Sequence, residues 1–104
     1  MKTDEFKTQI YQLLSNIPPG KVTSYGRLAR MAGHPGRARM VGSLLKQLPA
    51  GSTLPWFRVL TASGKPAFAP GTESFERQRA LLAREGVTFS ASHKVSAEHW
   101  WQQA

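Results

Sequence analysis

The 104-residue chain contains no cysteine. Disulfide scaffolds, thiolate nucleophiles, iron–sulfur clusters and cysteine-bearing zinc sites are thereby excluded. No apolar run is long enough to span a bilayer, and the N-terminus lacks the apolar stretch of a signal peptide, so the cytoplasm is the expected compartment. With 9 Gly, 7 Pro and 40% hydrophobic residues, the composition is that of a globular protein rather than a low-complexity or collagen-like one. The length accommodates one core, and a single domain over residues 1–104 is expected, with 90–104 as a C-terminal extension.

Acidic residues are few and unevenly placed. All six are Asp4, Glu5, Glu73, Glu76, Glu85 and Glu98. The interval between Glu5 and Glu73 has none, yet it carries Lys7, Lys21, Arg27, Arg30, Arg37, Arg39, Lys46, Arg58 and Lys65. A long stretch of one sign favours a polyanion partner and steers its approach. A solvated basic surface without a partner is the plain alternative. An anionic membrane fits less well, because no helix pairs this charge with a broad apolar face.

Helical spacing of Phe6, Ile10, Leu13 and Leu14 predicts a first helix, with Thr3 or Asp4 as its cap. Ile17-Pro18-Pro19-Gly20 ends it. Lys21-Val22-Thr23 reads as an extended lead-in to a second helix, capped by Ser24 or Thr23 and running through Leu28, Ala29 and Met31. Gly33-His34-Pro35-Gly36 breaks the pattern. A third helix follows, with Pro35 in its first turn, Ala38, Val41, Leu44 and Leu45 inward, and Gly42 permitting close approach. This pair is a helix-turn-helix pattern with Arg37 and Arg39 at the start of its second member, the part that usually meets DNA. An ordinary helical hairpin with solvated arginines is the alternative.

Leu54 to Leu60 reads as a short extended segment, followed by a turn at Ser63-Gly64 and a loop through Gly71. Glu73 to Glu85 reads as helix, with Phe75, Leu81 and Leu82 as apolar contacts and Gly86 beyond its end. Val87-Thr88-Phe89 is extended, and Ser96 caps a last turn holding Trp100 and Trp101. The fold class is mainly α: a small helical domain with a winged-helix-like helix-turn-helix, short extended segments and an active-site-like loop.

Catalytic signals are sparse. His93 and His99 match no strong metal-site spacing and lack a third ligand, so no metal is expected. Neither a Ser-His-Asp arrangement nor a glycine-rich phosphate loop is present, and no cofactor is expected. Pro55-Trp56-Phe57 runs directly into Arg58. A tryptophan in a pocket offers a broad face for an apolar group or a base, although Trp56 and Phe57 can equally be core.

Taken together, four segments resemble the active-site domain of O6-alkylguanine-DNA alkyltransferases. They are 17–29 (IPPGKVTSYGRLA), 33–42 (GHPGRARMVG), 54–60 (LPWFRVL) and 81–86 (LLAREG). The resemblance runs from about Phe6 to Phe89, and the chain is expected to lack the separate N-terminal domain of many such proteins. The family pattern Pro-Cys-His-Arg-Val reads here Pro55-Trp56-Phe57-Arg58-Val59. Trp56 stands where the alkyl-accepting cysteine belongs, and indole supplies no thiolate. Phe57 replaces the histidine that helps activate the thiol, Leu48 matches the network's asparagine, and Glu85 is expected to have lost its partners and to support the fold. This pattern resembles the alkyltransferase-like proteins, most of which nevertheless carry histidine after the tryptophan.

That resemblance implies a protein without catalytic residues that binds O6-alkylguanine in double-stranded DNA through the minor groove. It would flip the nucleotide, flag the lesion for nucleotide excision repair and shield it from alkyltransferases. Tyr25, Pro55, Trp56, Arg58 and Val59 would form the lesion pocket. Tyr25 would promote nucleotide rotation, and Arg39 would fill the vacated stack. Thr23, Ser24, Arg27, Arg37, Ala38 and Lys46 would contact backbone or groove, and the loop from Lys65 to Gly71 would close the pocket's side. The implied partners are lesion-bearing DNA and repair proteins, with the protein a monomer in the cytoplasm, at the nucleoid when bound. The rival readings are a helix-turn-helix transcriptional regulator on undamaged operator DNA, and a surviving enzyme using Glu85 or His34 as acid–base groups.

Overall fold

The computed structural model describes residues 3–102. In chain order the elements are α1 (Thr3–Asn16), β1 (Thr23–Ser24), α2 (Tyr25–Met31), α3 (Ala38–Lys46), a 3-10 turn (Trp56–Arg58), β2 (Val59–Leu60), α4 (Glu73–Ala83) and a second 3-10 turn (Ala97–His99). Helices dominate, as the apolar spacing predicts.

The α1 stripe of Phe6, Ile10 and Leu14, with Ile17 beyond it, packs on Leu28 and Ala29 of α2, Val41 and Leu44 of α3, and Val59. Leu13, expected in this stripe, is only partly buried. The side chains of Thr3 and Asp4, expected as caps, lie outside the described residues. A second cluster joins Val22, Leu60, Leu82, Val87 and Val95, flanked by Phe57, Phe89 and Trp100. The two clusters meet at β2. Successive strand residues point to opposite faces, so Val59 enters the first cluster and Leu60 the second. β2 pairs in parallel with β1, Thr23 opposite Val59 and Ser24 opposite Leu60.

Four local expectations are corrected. Pro35 precedes α3 rather than opening it: Gly36 takes φ +92°, a turn conformation, and the helix starts at Ala38. Trp56–Arg58 is a 3-10 turn rather than extended chain, closed by Trp56 N–H to Leu54 O at 2.8 Å and Arg58 N–H to Pro55 O at 3.0 Å. α4 ends at Ala83, and its buried face includes Gln78, while Leu81 is only half-buried. Trp100 and Trp101 lie beyond the last turn, on extended backbone. There Val22 N–H donates to His99 O at 2.9 Å and Trp101 N–H to Val22 O at 2.8 Å. Val95 and Trp100 thereby join the second cluster, while Trp101 packs on the first.

Candidate nucleic-acid interface

A cavity of about 550 Å³ opens between α2, α3, the Trp56 turn and the following loop. This is within the usual size of a small-molecule site, on the order of 300–1,000 Å³. Its walls include Tyr25, Ala38, Arg39, Lys46 and Trp56. Each has a traceable local cause.

Tyr25 is the first residue of α2. Ser24, in extended conformation, accepts the Arg27 amide at 3.1 Å and so fixes where the helix starts. The phenol ring lies over Gly42 of α3, where an added Cβ would stand 3.9 Å from the ring. The close approach permitted by Gly42 is thus to a side chain rather than a helix backbone. Burial raises the Tyr25 pKa, so the hydroxyl stays protonated and able to donate.

On α3, Arg39, Gly42, Ser43 and Lys46 all face the cavity. Their spacing of three and four residues is one helical face. Counting along the helix from Arg39 would have found Ser43, which the sequence reading missed. Leu45 and Ala38, expected to point inward, are half-buried; both line the cavity, and Leu45 also packs on the first core cluster.

Trp56 is held by backbone anchors. Arg58 donates Nε to the two Glu85 carboxylate oxygens at 3.0 and 3.1 Å, adds an Nη2 contact to Oε2, and donates Nη1 to Ile17 O at 2.7 Å. Gln78 Nε2 donates to Phe57 O and Val59 O, each at 3.0 Å. With the residues that follow it fixed, the half-buried indole faces the cavity. Its edge-on neighbour is Phe57 at 5.9 Å between centroids, and the Arg77 guanidinium lies 5.9 Å from its ring. No local pattern in the sequence announces Arg77. Ala67 and Phe68, from the 65–71 loop, complete one side together with Thr61.

Several expected site residues lie elsewhere. Arg58 turns away from the cavity because Glu85 and Ile17 O take its guanidinium. Glu85, expected to have no partners, has Arg58 and the Gly20 amide at 3.1 Å. Burial opposes its ionisation, but the Arg58 hydrogen bond, the Gly20 hydrogen bond and the Arg58 charge outweigh that and hold its pKa below the ordinary glutamate value. Pro55 and Val59 are buried and do not line the cavity, Val59 being claimed by the first core cluster. Thr23 is sealed within β1 and Ser24 is spent on its cap, so neither side chain is presented to a groove. Arg27 packs on Trp100 with its guanidinium 4.3 Å from the ring centroid, away from this cavity. Arg37 is exposed at the start of α3. The acid–base candidates are not assembled: Glu85 is paired with Arg58, and His34 stacks edge-on against Phe6 at 5.5 Å. No group of three or more potential metal ligands occurs among the described residues, and none of their helices is long and apolar enough to cross a membrane.

Comparison with known proteins matches this arrangement. A DNA base-flipping protein of Vibrio parahaemolyticus is 43% identical over 100 residues, covering 95% of this chain and 98% of that protein. The crystal structure of Schizosaccharomyces pombe Atl1 in complex with damaged DNA containing O6-carboxymethylguanine has a TM-score of 0.86 at 32% identity, covering 99% of this chain and all of that one. A methylated-DNA–protein-cysteine methyltransferase of Mycolicibacterium paratuberculosis is 36% identical over 85 residues, covering 82% of this chain and 50% of that protein. The model of the 6-O-methylguanine DNA methyltransferase DNA-binding domain matches residues 5–87, and the chain belongs to that family.

Proposed function

We propose that this protein recognises O6-alkylguanine in duplex DNA by flipping the damaged nucleotide into the Trp56 cavity, and that it performs no chemistry there. The observation that carries this reading is the cavity wall itself. An indole, that of Trp56, lines the cavity in a chain with no cysteine to accept an alkyl group. The names of the base-flipping and damaged-DNA-bound relatives support the DNA partner.

In this reading the α3 face enters the minor groove. Arg39 occupies the space vacated in the stack, Tyr25 guides the rotated nucleotide, and Arg37 and Lys46 contact phosphate. Ala38 lets the groove floor come close. Flipping costs a few kcal/mol, and less for a base whose pairing is already weakened. An alkyl group on O6 weakens pairing and adds apolar area worth about 0.8 kcal/mol per buried CH₂. Both effects favour the lesion over guanine. Slow release then shields the lesion from alkyltransferases and marks it for nucleotide excision repair. The protein acts as a monomer in the cytoplasm, at the nucleoid when bound.

The test is titration with matched duplexes carrying guanine or O6-methylguanine, followed by mass spectrometry of protein and DNA. The expected result is tighter binding to the lesion, with the methyl group still on the base. Methyl transfer to the protein rejects the non-enzymatic reading. Equal affinity for the two duplexes rejects lesion recognition, and sequence preference on undamaged DNA points to an operator-binding regulator.

A further inference from the structure

On the other side of α2 lies a second cavity of about 300 Å³, lined by Thr23, Arg27, Arg30, Met31, Trp101 and Gln102. It shares no residue with the Trp56 cavity. Helix geometry explains the separation. At about 100° per residue, Arg27, Arg30 and Met31 fall about 200°, 140° and 240° around α2 from Tyr25. They therefore occupy the face opposite the one that meets α3.

We propose that this second cavity docks an acidic segment of a partner protein and stays open while DNA occupies the Tyr25–Arg39 face. The proposal rests on the preceding reading only for which face the DNA takes. The charge is of one sign: Arg30 is exposed, and no carboxylate pairs with Arg27 or Arg30 among the described residues. The cavity is also preorganised. Arg27 is stacked on Trp100, and Trp101 is tied to Val22 through its backbone amide. Guanidinium groups recognise carboxylates through paired N–H donors. Fixed tryptophan and arginine side chains are the residue types that concentrate binding energy at protein interfaces. A DNA strand is the poorer occupant, because contact here requires it to pass behind α2 from the Arg39 face.

The experiment is fluorescence anisotropy with a labelled hexaglutamate peptide at 0.15 M salt. It is titrated with the protein alone and with the protein saturated by an O6-methylguanine duplex. The expected affinities agree within about threefold, since charges further apart than about 8 Å are largely screened at this salt. Arg30→Glu is expected to weaken peptide binding about tenfold or more in both states. Lys94→Glu makes the same charge change at an exposed residue lining neither cavity, and should weaken it less than about twofold. Absence of peptide binding overturns the proposal, as do equal losses in the two variants. Loss of peptide binding when the duplex is added also overturns it, and assigns the cavity to DNA. If the duplex shows no lesion preference, the preceding reading fails, while the protein-alone arm still decides this one.

Discussion

Replacing Glu85 with alanine removes the contact that anchors the Trp56 turn to the body of the protein. Glu85 takes the Arg58 guanidinium on both oxygens and the Gly20 amide on one of them, while Arg58 also donates to Ile17 O. The two side chains are 13% and 14% exposed, so solvent substitutes poorly for either partner. Truncating one member of a buried pair costs about 3–5 kcal/mol, because the other charge is left uncompensated. The residual exposure places Glu85→Ala near the lower end, about 3 kcal/mol. In a domain this size each kcal/mol moves Tm by about 4–8 °C, so a fall on the order of 12–24 °C is expected.

The assay is urea and thermal denaturation of the wild type, Glu85→Ala, Arg58→Met and the double variant. The double variant should lose less than the sum of the singles, with a coupling on the order of 2 kcal/mol. A single-variant cost below about 1 kcal/mol, the level of an exposed ion pair, refutes the reasoning. An acid titration supplies an independent check. The folded-state pKa of Glu85 lies below its unfolded value, so the carboxylate's contribution is fully present above the unfolded pKa and is lost as pH falls through the folded one. The stability gap between wild type and Glu85→Gln should therefore close as pH is lowered below the ordinary glutamate value of 4.5.

Four further outcomes are expected. Gln78→Leu leaves the Phe57 and Val59 carbonyls without their donor and should cost about 1–3 kcal/mol by urea denaturation. Gly64→Ala forces a side chain onto a residue at φ +81° and puts its Cβ 3.2 Å from Val95 Cγ1; a loss of about 1–3 kcal/mol and a change in tryptophan emission from Trp100 should follow. Trp56→Ala should reduce lesion preference more than general DNA affinity, and Arg39→Ala should weaken binding to the lesion duplex with the fold intact; anisotropy on matched duplexes reads both, and equal losses on damaged and undamaged DNA would make Trp56 scaffold.

The helices were legible because their signals are local. Apolar spacing located α1, and Ser24 marked the start of α2 through a bond to a residue three positions on. The Trp56 turn was not legible, since its shape depends on partners far along the chain: Glu85 for Arg58 and Gln78 for two carbonyls. Proline and aromatic residues in a row read equally well as extended chain. The same limit explains the misplaced pocket residues. Alignment placed Arg58 and Val59 beside the cavity because they neighbour Trp56 in sequence. Within the 3-10 turn and the strand that follows, those side chains are directed instead toward Glu85 and the first core cluster. The side of α2 that Arg27 takes, opposite Tyr25, could be counted from the sequence alone.

The anchors of the turn also bear on which side chains position 56 can display. The hydrogen bonds holding residues 56–59 come from Arg58, from Gln78 and from backbone groups. None uses the side chain of Trp56 or Phe57. The residue facing the cavity is therefore decoupled from the hydrogen-bonded framework that presents it. A cysteine, the residue type in the name of the methyltransferase relatives, and an indole can be displayed by the same turn. Exchanging one for the other alters what lines the cavity while leaving Arg58, Glu85 and the β1–β2 pair in place. Function at this site is carried by the side chain, and rigidity by the residues around it.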